Sequence, residues 1–136
     1  MRIGLLAVSM LSAAAVLVFS SVAAGGGMQP NLGAKLAGMG EHGVVNLHVT
    51  AKSKKLCWTF DMGTMKGFTA ASIHAGNKKT VLLRLGMHYA RKGCTTASAM
   101  TLDHLQSKPA AYWVFVDTKG HPGDLRGKLF AGMAHM

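Results

Sequence analysis

The run Val45-Asn46-Leu47-His48-Val49-Thr50 places an apolar residue at every second position, and beyond Lys52-Ser53-Lys54 the same rhythm returns in Leu56-Cys57-Trp58-Thr59-Phe60-Asp61. Successive side chains of a strand point to opposite faces, so this alternation predicts two strands with one buried face each, joined by a polar turn into a hairpin. Working outward, further strands are predicted at 33–37, 69–74, 80–85, 112–117 and 124–130. Gly63, Gly67, Gly76-Asn77, Gly86, Gly93 and Gly120 fall between them as turn formers. A single segment reads as helical, Thr101-Leu102-Asp103-His104-Leu105-Gln106, with a hydroxyl at its start and Lys108-Pro109 at its end. About seven short, closely spaced strands and one helical turn predict an all-β fold, a β-sandwich or Greek-key barrel.

The N-terminus reads differently. Met1-Arg2 gives a positive start, residues 3–19 are apolar, and Val22-Ala23-Ala24 offers small residues for cleavage. That order predicts a secretory signal peptide over 1–24, with an uncleaved membrane anchor as the alternative. Gly25-Gly26-Gly27 opens a flexible linker over 25–32, and the β domain follows over 33–136. No second long apolar run follows, so a periplasmic or secreted protein without a membrane span after cleavage is expected.

Cleavage after Ala24 leaves 112 residues, enough for one domain and one core. It removes one of the fifteen cations against five acids, leaving a net charge of +9 with the histidines neutral. The cations are spread over Lys52, Lys54 and Lys55, Lys78-Lys79, Arg91-Lys92, and Lys119 with Lys128. An exported cationic surface is drawn at long range to anionic envelope components, glycan or protein. Basic residues are nowhere interleaved with stacking aromatics, which argues against nucleic acid. The two cysteines, Cys57 and Cys94, lack CxxC spacing and predict one disulfide in an oxidising compartment.

Three segments together resemble the chordin-type (CHRD) domain. They are Lys35-Leu36-Ala37-Gly38 followed by Glu41, then Ala70-Ala71-Ser72-Ile73-His74-Ala75-Gly76, and the closing run 109–118 continued by His121-Pro122-Gly123-Asp124-Leu125-Arg126-Gly127-Lys128-Leu129. The last is similar to the family's "N-P-x-Y-Y-V-N-V-H-T … H-P-x-G-E-I-R-G-Q-L" ending. Where the family commonly has H-I-H this chain has Ser72-Ile73-His74, and Asp117 stands where the closing strand often has histidine. The resemblance implies an immunoglobulin-like β-barrel in an extracytoplasmic protein and brings no agreed catalytic activity.

Candidate chemistry is limited to a few residues. Asp124 and Arg126 are two apart on a predicted strand and so share a face. Arg126 is expected to clasp the closing strand by donating to carboxylates and carbonyls, and Asp124 to cap the preceding turn; Gly123 and Gly127 let backbones approach closely. His74 and His121 both fall at turns, and if the barrel brings them together they suit copper or zinc. Methionines at Met39/His42, Met62/Met65, Met87-His88 and Met133-Ala134-His135-Met136 suit cuprous ion. Methionines also serve as core filler, however, and no H-x-H or mixed Cys/His cluster accompanies them. Glu41, Asp61, Asp103, Asp117 and Asp124 fall in separate segments, and there is no G-x-S-x-G elbow or phosphate-cradling loop. Neither acid–base nor nucleophilic catalysis is therefore expected. The reading that follows is a basic exported binding module, with a copper-handling protein as its alternative.

Overall fold

The protein is described by a computed structural model over residues 31–76, 80–119 and 121–136, with the backbone alone at 121–123. The predicted signal peptide, the linker as far as residue 30, and Asn77, Lys78, Lys79 and Gly120 lie outside the described residues.

The 45–61 stretch forms the hairpin its alternation predicts. Strand β2 (Glu41–Thr50) and strand β3 (Lys55–Asp61) pair Val45 with Phe60, Leu47 with Trp58 and Val49 with Leu56. All six side chains are buried. A one-turn 3-10 helix, Ala51–Ser53, makes the connection, and Lys54 closes it in the left-handed region at φ 55°. Upstream, β1 (Leu32–Gly38) pairs with β2 through a two-residue turn, Met39-Gly40, with φ of 51° and 77°. Two positive φ values are what a type I′ turn needs to match the twist of its strands.

Strands β4 (Phe68–Ala75), β5 (Val81–Arg84), β6 (Lys92–Thr96), β7 (Tyr112–Thr118) and β8 (His121–Ala131) complete one antiparallel sheet in the order β5-β4-β7-β8-β1-β2-β3-β6. The sheet curls as a half-barrel, and the fold is all-β with one helix. Eight strands appear where seven are predicted. The additional one, β6, carries no apolar alternation because its inward position Gly93 lies under the Trp58 ring, where a Cβ would come within 2.5 Å of the indole. The Trp58 Nε1–H donates to the Ala90 carbonyl at 2.9 Å, so the indole fills the space between β6 and the segment that follows β5.

Inside the curl, the odd-numbered positions of β2 and the even-numbered positions of β3 and β7 meet Leu32, Leu36, Ile73, Leu125 and Leu129. Helix α1 (Ala99–Ser107) adds fully buried Leu102 and Leu105. It begins two residues before the predicted start, because Ser98 rather than Thr101 is its cap: the Ser98 Oγ accepts from the Thr101 N–H at 3.1 Å. The domain also begins earlier than the linker reading allows. Leu32 is buried in β1, and the Asn31 side chain exchanges two hydrogen bonds with the Val49 backbone, at 2.9 and 3.0 Å. Asn46 does the same for the C-terminal segment, donating to the Ala134 carbonyl and accepting from its N–H.

Where β8 meets β1 the backbones run unusually close. A Cβ on Gly127 would stand 2.0 Å from the Lys35 carbonyl oxygen, and one on Gly38 would stand 1.8 Å from that of Asp124. These two glycines join the β5-β4-β7-β8 half of the sheet to the β1-β2-β3-β6 half.

Candidate functional site

The outer face of the sheet around β7 and β8 carries the most unusual grouping of side chains. Alternation on β7 sends Val114 and Val116 into the core and turns Trp113, Phe115 and Asp117 outward. On β8 it buries Leu125 and Leu129 and turns Asp124, Arg126 and Lys128 outward. The register then sets Phe115 directly opposite Arg126, and Trp113 directly opposite Lys128.

Each pair makes a cation–ring contact. The Arg126 guanidinium carbon lies 4.9 Å from the Phe115 ring centroid, and the Lys128 Nζ lies 5.7 Å from that of Trp113. Both separations fall within the range in which a cation is attracted to the ring face, worth about 0.5–1 kcal/mol at an exposed site. Phe115 is in turn stacked on His74, with centroids 4.0 Å apart and an interplanar angle of 9°. Ser72 Oγ and His74 Nε2 are 2.9 Å apart and hydrogen bonded, which fixes the imidazole beneath the ring. Ser72 and His74 are buried although they alternate with the core-facing Ala71 and Ile73 on β4, and the Phe115 ring packs against the imidazole. The result is a three-tier stack of imidazole, phenyl ring and guanidinium.

Two further cations share this face. Arg84 of β5 stands opposite Ser72, and Lys35 of β1 lies beside Lys128, between the Ala34–Leu129 and Ala37–Arg126 pairs. Lys35, Arg84, Arg126 and Lys128 are all exposed. The carboxylates on the face are Asp117 and Asp124, and the Asp124 carboxylate accepts a hydrogen bond from the Thr118 hydroxyl across the β7–β8 connection. Positive charge therefore prevails on a surface floored by aromatic rings.

The sequence-derived candidates distribute as follows. Asp124 and Arg126 lie on one strand face, with Asp124 tied to the β7–β8 turn and Arg126 over Phe115. Cys57 and Cys94 are directly opposite each other in the β3–β6 ladder and form a disulfide, with Cα atoms 3.9 Å apart. His74 and His121 are not brought together. His74 is opposite Trp113 and His121 is opposite Thr118, near the two ends of β7, which is roughly 15 Å of strand. The side chain of His121 lies outside the described residues.

The methionine clusters scatter as well. Met39 and Met87 are exposed at separate turns, while Met62 is buried with its sulfur against Gly43. Among the described residues no three His, Cys, Asp or Glu side chains group as a metal site. The parts of the face that sequence reading missed are Trp113, Phe115 and Lys128. Their signal was present in the outward phase of two strands already predicted, but their pairing depends on register.

Neither a protein-family model, nor a curated protein, nor a solved structure matches the chain.

Proposed function

We propose that the chain is an exported CHRD-type binding module that holds an anionic envelope component, an acidic glycan or protein, against the cation–aromatic face of β7 and β8. The observation that carries this reading is the paired layer of Arg126 over Phe115 and Lys128 over Trp113. A guanidinium already held over a ring gives up less rotamer freedom when it captures a carboxylate, sulfate or phosphate than one on an unsupported side chain. The ring edges beside it offer apolar contact to a sugar or peptide backbone.

Export is supported by the order of charge, apolar run and small residues at the N-terminus, and a disulfide suits an oxidising compartment. The strand order supports a Greek-key closure of the immunoglobulin-like kind, because β6 returns beside β3 and β7 beside β4, each after a crossing connection. Binding rather than catalysis is favoured by the scatter of the five acids and by the covered position of the Ser72–His74 pair. The copper alternative loses its main support with the separation of His74 from His121 along β7.

Retention on a heparin-like or lipopolysaccharide resin tests the reading. The protein is expected to bind at low salt and to elute within a few hundred millimolar, as the Debye length shortens to a few ångströms. The double variant Arg126→Gln/Lys128→Gln should elute at clearly lower salt than Lys52→Gln/Lys54→Gln, which removes the same charge elsewhere. Equal shifts in the two variants would leave net charge as the whole explanation and reject the face.

A further inference from the structure

A concavity lies at the end of the half-barrel where β3 runs out and β4 begins. It is a cleft of about 520 Å³, within the range of small-ligand sites. Its floor is aromatic. The Tyr89 ring lies between Phe60 and Phe68, with centroids 5.2 and 5.0 Å away and both pairs tilted by about half a right angle. The segment carrying Tyr89 is stitched over the barrel end by two backbone hydrogen bonds, Tyr89 N–H to Thr69 at 3.0 Å and Phe60 N–H to the Arg91 carbonyl at 2.8 Å. The rings are thus held in place before any ligand arrives.

The rim is polar and mainly cationic. Lys66, from the β3–β4 connection, and Arg91, from the approach to β6, both line the cleft and are exposed. Asp61 is the carboxylate on the same rim, and its Oδ1 accepts from the Gly63 N–H at 3.2 Å, within its own turn. Burial pushes the pKa of the Tyr89 phenol up, while the nearby Arg91 charge pulls it down. Aromatic rings and two cations on one opening are complementary to a molecule with a flat apolar body and a single negative head.

We infer that this cleft is a binding site for a small amphipathic anion, whose apolar part lies on the half-buried Tyr89 and Phe68 rings, backed by the core residue Phe60, and whose carboxylate or sulfonate is held by Arg91 and Lys66. The site is separate from the β7–β8 face and does not depend on what that face binds.

Fluorescence titration with anilinonaphthalene sulfonate, a flat amphipathic anion, tests it against the uncharged phenylnaphthylamine. One equivalent of the sulfonate is expected to bind. Arg91→Gln/Lys66→Gln should weaken it about ten-fold, the loss of roughly 1.4 kcal/mol of head-group attraction. The neutral probe should be unaffected by that change. Met65→Trp, which fills the cleft from one wall, should block both probes while the melting temperature stays near that of the parent. An unchanged sulfonate affinity in the double variant would overturn the assignment. So would several equivalents of bound probe, or a neutral probe bound as tightly as the anion. Lys52→Gln/Lys54→Gln should leave both titrations as they were, and a matching ten-fold loss there would also overturn it.

Discussion

At Gly127 the fold permits no side chain. A Cβ there would collide with the Lys35 carbonyl oxygen, and because the obstacle is backbone, neither partner can swing aside. Gly127→Ala is expected to cost about 3 kcal/mol or more, at the upper end of overpacking penalties, and to lower the melting temperature by more than about 10 °C. Gly40→Ala is the control: nothing stands within 4 Å of its would-be Cβ, but its φ is 77°. That change should cost only about 1 kcal/mol. Thermal melts of the two variants distinguish them, and a Gly127→Ala protein melting within 2 °C of the parent, on the order of a surface change, would refute the close-approach account. Gly127 stood out in the sequence because it lies beside Arg126 in the closing strand. Gly38, its counterpart on β1, did not, since a glycine at a strand end reads equally well as a turn residue.

Among the elements, the two hairpins built on β2 show why one connection was legible and the other was not. Lys52-Ser53-Lys54 announces a turn by polarity alone, whereas Met39 occupies a left-handed position that a methionine seldom takes. Met39 is 74% exposed and packs against little, so its replacement loses no burial. Met39→Asn should therefore stabilise the protein by about 0.5–1 kcal/mol, raising the melting temperature by a few degrees. A melting temperature that stays level or falls would show that the Met39-Gly40 turn is not under the strain its dihedrals indicate. Strands with one wet face announced themselves by alternation, as at 45–50 and 56–61. β6 did not, because Trp58 occupies the space its inward side chains would fill and leaves glycine and threonine there. The candidate face was half legible: each strand's outward residues follow from its phase, but setting Phe115 against Arg126 needs the β7–β8 register, which an irregularity near Thr118 shifts.

For the molecule as a whole, the sheet is held as a half-barrel by its middle and tied at one margin. The middle is the β8–β1 junction, and the tie is the Cys57–Cys94 disulfide, which fastens β6 to β3 across 37 residues of chain. On the chain-entropy model, closing a loop of that length contributes about 4 kcal/mol. Cys57→Ser/Cys94→Ser is expected to lose most of this in urea unfolding, and a reductant should bring the parent down to the double variant without moving the variant itself. Parent and variant unfolding at the same midpoint would show that β6 holds its place without the bond. No ladder joins β5 to β6 among the described residues, so the sheet ends in two free margins. One of them is anchored and carries Lys92; the other is four residues long, with Val81 and Leu82 in the open. Crowding copies together tests that second margin first. Its brevity limits how many amides a neighbour could zip onto, and a lysine in place of Leu82 would be the natural guard against such zipping.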